Sequence, residues 1–251
     1  MHAQKPVLVF IPGAWHTPEY FTDVINKLKV HEYETHALLL PSVGGAGIVT
    51  ATDDAAFIRK TTTSLVNEGK DVLMVMHSYG GIPGTESTKG LLKKEREIEG
   101  KKGGIVGLVY MTAFLLPEGQ SVGSFLGGYE NWIIFNGNQT TLDRAPEIMY
   151  NDLPVEIGEA YAKRTLHHSA ASFDTPLTYP AYKYLPTTYL LCKQDMAIPF
   201  AGQQAMASIA GEAATKHICN AAHSPMLSMP DTVVSVIREA AGEIITANGQ
   251  L

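Results

Sequence analysis

Short, mostly apolar runs recur along the chain, separated by longer stretches whose apolar residues fall at helical spacing. The runs Val7–Ile11, Thr35–Leu40, Val72–Met76, Ile105–Met111, Thr188–Cys192 and Thr215–Cys219 are bounded by Gly, Pro or polar residues, which predicts buried strands. Helix starts are legible between them. Thr17-Pro18-Glu19 offers an N-cap, a proline for the first helical position and an acid next to it, and Pro199 and Pro230 open two more helices. Asp53–Glu68 and Asp231–Ala247 carry apolar residues every third or fourth position. Strands alternating with helices predict an α/β fold, with a mostly parallel sheet of about six strands flanked by helices.

The alternation stops between Pro117 and Pro186, a stretch rich in aromatics and Pro with no clear strand pattern. It is expected to form a helical lid over the C-terminal edge of the sheet, where ligands bind in this architecture. The expected organisation is a core over residues 1–116, a lid over 117–186 and the rest of the core over 187–251.

Composition narrows the partners. The chain has 251 residues, 45% of them hydrophobic and 18% charged, enough for one domain with a large core. A net charge of -6 without a basic cluster argues against nucleic acid or an anionic membrane as partner. The run Lys93-Lys94-Glu95-Arg96-Glu97, followed by Lys101-Lys102, mixes signs and is expected as a solvated helix end and loop. Cys192 and Cys219 fall in predicted strands and read as small buried groups, not a disulfide framework. The first apolar run stops at Pro12-Gly13, too early for a signal-peptide core, and no stretch of about eighteen apolar residues occurs, so a soluble cytoplasmic protein is expected.

The chemistry centres on Ser78. The strand Val72–Met76 runs straight into His77-Ser78-Tyr79-Gly80-Gly81, a glycine-supported turn ahead of a helix. Such a turn projects the serine hydroxyl above the sheet and aims the amide of the next residue, Tyr79, at a developing oxyanion. Met76 stands where Gly-x-Ser-x-Gly has its first glycine. A serine needs a base, and the base a carboxylate to orient it. Asp195 and His223 each follow a predicted strand, in the order Ser, Asp, His, while Thr112-Ala113-Phe114 supplies no rival acid after the fourth strand. The second oxyanion donor is expected from the Ala14 amide, in the loop Pro12-Gly13-Ala14-Trp15-His16.

The remaining histidines are assigned elsewhere. His2, His31 and His36 are expected at the surface or a strand edge, and His77 beneath the turn. His167 and His168 are expected on the lid surface, and His217 in the last strand, facing away. Trp15, His16, Phe114, Trp132, Phe135, Phe173 and Tyr182 are the candidates for an apolar substrate pocket.

Four segments, Pro12–His16, His77–Gly81, Gln194-Asp195 and Ala222–Pro225, resemble the plant methylesterase and hydroxynitrile lyase branch of the α/β-hydrolase superfamily. The likeness extends in style to small fungal hydrolases of secondary metabolism. It implies an α/β-hydrolase fold with Ser78, Asp195 and His223 as a triad, and the Ala14 and Tyr79 amides as the oxyanion hole. Pro12 replaces the histidine usual before Gly-Ala, which puts a plant-like substrate in doubt. Ser224 stands where the lyases place a lysine, which disfavours cyanohydrin cleavage.

The expected activity is hydrolysis of an ester, lactone or thioester of a medium-sized hydrophobic, polyketide-like substrate, without metal or organic cofactor. A non-hydrolytic lyase or cyclase using the same site, and a small-molecule receptor with a vestigial triad, remain alternatives. Oligomeric state stays open, a homodimer being one option.

Overall fold

The computed structural model describes residues 5–245. The first half runs β1 (Val7–Ile11), α1 (Thr22–Val30), β2 (Thr35–Ala37), α2 (Ala51–Asn67), β3 (Asp71–His77), α3 (Gly81–Glu86), α4 (Lys93–Ile98) and β4 (Gly104–Met111). The insertion contributes α5 (Val122–Leu126), β5 (Ile133–Asn136), β6 (Gln139–Leu142), α6 (Ala145–Met149), α7 (Val155–Ala162) and β7 (His168–Ser169). The chain closes with β8 (Thr187–Cys192), α8 (Phe200–Ile209), β9 (Thr215–Cys219), α9 (Pro225–Ser228) and α10 (Pro230–Ala240).

The central sheet has six strands in the order β2-β1-β3-β4-β8-β9, and every neighbouring pair is parallel. Parallel pairing puts all C-terminal strand ends on one edge, so the segments after β1, β3, β8 and β9 meet there. Side chains alternate between two cores. Val7, Val9 and Ile11 of β1 pack with Val72, Met74 and Met76 of β3 against α2 and the insertion, whereas Leu8, Phe10, Leu73 and Val75 face α1 and α10.

Expectation and structure part in several places. The edge strands β2 and β9 are only partly covered, because each has a neighbour on one side alone. β2 ends at Ala37, not Leu40, as the chain turns away toward Pro41. The last helix ends at Ala240, where Gly242 takes a φ of +92°, and residues 246 and 247 of the expected helix lie outside the described ones. Arg96 is not solvated: its guanidinium is buried and donates to the carbonyls of Gly103 and Val66, closing the end of α4.

The insertion is not purely helical. β5, β6 and β7 form a three-stranded antiparallel sheet whose hairpin turns at Gly137-Asn138. Gly-Asn between the apolar run Ile133-Ile134-Phe135 and the β-branched Thr140-Thr141 is a hairpin signal, but β5 is only four residues long and mostly exposed. His168 is part of this sheet and wholly buried rather than at the surface. It packs 4.7 Å from the Tyr79 ring and bonds Ser172 Oγ, and burial pushes its pKa down to about 3.

Candidate active site

Ser78 leaves β3 with a φ of +52°, a left-handed backbone that costs a non-glycine residue about 1–3 kcal/mol. Trp15 and Thr112 follow β1 and β4 with positive φ as well, at +66° and +45°. The edge of the sheet where the expected site residues meet is therefore built from strained turns, each held by its surroundings. Gly13 shows how tightly: a Cβ there would lie 2.7 Å from Ser78 Cβ.

His223 Nε2 lies 2.9 Å from Ser78 Oγ, and His223 Nδ1 lies 2.9 Å from Asp195 Oδ2. With Nδ1–H donating a hydrogen bond to the carboxylate, Nε2 is left to accept from the Ser78 hydroxyl. The Asp195 carboxylate accepts from four groups: the amides of Ala197 and Ile198 on Oδ1, and Gln203 Nε2 and His223 on Oδ2. His223 is also fixed from behind, since His77 Nε2 and Thr112 Oγ1 each stand 2.9 Å from its carbonyl oxygen. His77 is held neutral, well below the usual histidine range, first by burial and then by the two neighbouring imidazoles.

Ala14 and Tyr79 border the same cavity as Ser78 and His223. Each is anchored from the side away from the cavity. The Tyr79 hydroxyl donates to Asp54 Oδ2 at 2.7 Å, and Asp54 also accepts from the amide and hydroxyl of Ser42. Burial raises the Asp54 pKa, which those hydrogen bonds oppose. The Ala14 carbonyl accepts from His16 Nδ1 at 2.6 Å, and burial lowers the His16 pKa to about 4.

Residues 8–236 match the model of an alpha/beta hydrolase family, over most of the chain. The chain is also 33% identical over 248 residues to the alpha/beta hydrolase nvfD of Aspergillus novofumigatus, covering 96% of this chain and 98% of that protein. It belongs to the α/β-hydrolase family. Solved structures share the fold. A pyrethroid hydrolase from Sphingobium faniae JZ-2 superposes with a TM-score of 0.72 at 20% identity, covering 94% of this chain and 97% of that one. The methylesterase MES16 from Arabidopsis does so at 0.71 and 16%, covering 94% and 99%.

This α/β hydrolase carries Met76 at the motif's first glycine position, and the structure shows how it is accommodated. Met76 points at α3, where a Cβ on Gly84 would lie 2.5 Å from its Sδ. The close approach of strand and helix is preserved by a glycine on the other partner.

The cavity of this hydrolase encloses about 740 Å³, open mouth included. Trp15, Phe114, Trp132 and Phe173 line it. His16, Phe135 and Tyr182 do not. His16 is buried against the Ala14 carbonyl, Tyr182 is tied to the Leu116 carbonyl, and Phe135 is 45% exposed on β5. Trp15 bridges outward as well, donating from Nε1 to Thr140 of the insertion. Phe125 and Tyr129 near α5, and Ile198 and Met206 near α8, complete walls that the sequence did not single out. The apolar face of α8 was the signal for Met206. Glu130, exposed at the mouth, is the only carboxylate among the described lining residues. No group of three or more His, Cys, Asp or Glu among the described residues could hold a metal ion, and no described helix is long and apolar enough to cross a membrane.

Proposed function

We propose that this α/β hydrolase is a serine esterase that cleaves a carboxylic ester, lactone or thioester of a medium-sized, uncharged hydrophobic molecule through an acyl-enzyme. The observation that carries the reading is the buried relay Ser78–His223–Asp195, with both contacts at 2.9 Å, opening into an apolar cavity. Ser78 Oγ attacks the carbonyl carbon while His223 Nε2 takes its proton, and Asp195 stabilises the imidazolium. The oxyanion meets the amides of Ala14 and Tyr79, each such donor contributing about 10² to 10³ in rate. Collapse expels the alcohol or thiol, which takes the proton from His223. Water deprotonated by the same nitrogen then releases the acid. A lining with aromatic walls and no lysine or arginine among its described residues supports an uncharged substrate. MES16, one of the fold neighbours, is itself called a methylesterase, which is in keeping with ester chemistry.

The test is labelling by a fluorophosphonate, then turnover of p-nitrophenyl esters of increasing chain length. Labelling at Ser78 with turnover that improves with chain length is the expected result, abolished in Ser78→Ala. Labelling without turnover of any ester would favour a non-hydrolytic enzyme or a receptor, and absence of labelling would end the serine reading.

A further inference from the structure

Three consecutive residues of the insertion touch three different segments of the site. The Tyr150 hydroxyl donates to His16 Nε2 at 2.8 Å, and His16 in turn grips the Ala14 carbonyl through Nδ1. Asn151 Nδ2 donates to the Gln194 carbonyl at 3.0 Å, one residue before Asp195. Asp152 Oδ2 accepts from the Ala222 amide at 2.8 Å, one residue before His223.

We propose that Tyr150, Asn151 and Asp152 are positioning residues that hold the oxyanion, acid and base loops in register with one another. The sheet ties only the acid and base loops to each other, through the neighbouring β8 and β9 and the Gln194 amide donating to the Ala221 carbonyl at 2.9 Å; it leaves out the oxyanion loop. β1 is separated from β8 by β3 and β4, so no ladder hydrogen bond links the Ala14 loop to the loops carrying Asp195 and His223. The segment between α6 and α7 spans them instead. Tyr150 is buried and stacks on Tyr20, which fixes one end of the span. At the other end, Asp152 keeps one carboxylate oxygen on Ala222 while its Oδ1 is buried without a partner. An orphan carboxylate oxygen costs stability, so packing alone gives no reason for an acid here. The Ala222 amide gives one. Displacing it moves the adjoining His223, and small misplacements of a reacting group are expensive in rate.

The inference rests on the serine-esterase reading for its kinetic consequence, so its test has one arm that needs no turnover. Asp152→Ala, Asp152→Asn and Tyr150→Phe are compared with wild type for thermal unfolding, fluorophosphonate labelling rate, kcat and KM on a p-nitrophenyl ester, and exchange of the Ala222 and His223 amides. Asp152→Ala should label and turn over about tenfold more slowly with KM changed by less than about twofold, and Tyr150→Phe should show a smaller loss of the same kind. Asp152→Asn keeps an oxygen acceptor for Ala222 and should recover to within about threefold of wild type. Both amides should exchange faster in Asp152→Ala. A folded Asp152→Ala with wild-type kcat, a loss confined to KM, or an Asp152→Asn no better than the alanine would each overturn the proposal. If Asp152→Ala does not fold, the Asp152→Asn and Tyr150→Phe kinetics decide it: wild-type kcat in Tyr150→Phe, or a loss well beyond threefold in Asp152→Asn, overturns it. If wild type is not labelled, the esterase reading fails by itself and amide exchange decides the tie: unchanged exchange in the variants ends it.

Discussion

Gln203 Nε2 stands 3.1 Å from Asp195 Oδ2, on a side chain that is wholly buried. The same amide reaches the carbonyls of Cys192 and Ile198 and accepts from the Cys192 amide, so one residue of α8 secures both the end of β8 and the carboxylate that orients His223. Replacement by leucine leaves several buried polar groups unpaired at once. Gln203→Leu should lose about 3 kcal/mol, read by denaturant unfolding, and should lower kcat more than it raises KM.

The pairing of Met76 with Gly84 is a complementary pair across strand and helix. Gly84→Ala should overpack the contact at a cost of about 1–3 kcal/mol, and Met76→Ala should open a void at about 2–4 kcal/mol. The double variant should cost less than the two singles together by about 1 kcal/mol, as measured in a thermodynamic cycle. Strict additivity would show that the two sites do not communicate.

Gly13→Ala should be a kinetic lesion before it is a structural one. The new methyl would meet Ser78 Cβ at 2.7 Å and His77 Nδ1 at 3.0 Å, forcing the loop that carries Ala14 away from Ser78. A fall in kcat of about 10²-fold is expected, checked in steady-state turnover beside a melting curve.

Acid should weaken the fold well above the carboxylate range. His16 at about 4, His168 at about 3 and His77 well below 6.5 are neutral in the folded chain at pH 6, whereas unfolded histidines titrate near 6.5. The unfolded chain therefore binds more protons between about pH 6.5 and 4, and stability falls as pH falls through that window, by up to about 1.4 kcal/mol per pH unit for each histidine. Glu243, lowered to about 2, acts in the same direction only below its usual range, while Asp54, raised by burial, opposes it. Denaturant titrations across pH should show this slope, and His168→Gln should flatten it. An unchanged slope in that variant would remove His168 from the account.

What the sequence disclosed follows from where its signals are strong. Strands buried on both faces announce themselves as apolar runs, so β1, β3, β4 and β8 could be placed within a residue of their ends. Of the half-wet edge strands, β9 was bounded as well, at Thr215–Cys219, whereas β2 was drawn three residues too long, to Leu40 instead of Ala37. Ser78, Asp195 and His223 were legible because each directly follows a strand, and in a parallel sheet that alone puts them on one edge. The residues that hold them were hidden for the opposite reason. Gln203 and Asp152 lie within or beside helices, where a polar residue ordinarily faces solvent, and only the fold turns them inward. Phe135 and Tyr182 were misjudged because aromatic character does not reveal which side of a hairpin or turn a ring occupies. His168 was misjudged because the short strand that buries it has no periodicity to read.

The insertion leaves β4 and returns to β8, two strands that are direct neighbours in the sheet. It is thus a single crossover, and its length is not dictated by the strands it joins. Nearly half of what lines the cavity could be exchanged for another cover, and with it the molecules admitted, while the sheet stayed as it is. Residues 150–152 set the boundary of that freedom, because a replacement lid would have to bring the same three contacts back to the loops beneath it. Grafting a foreign lid with and without this tripeptide would turn the distinction between scaffold and cover into a design rule.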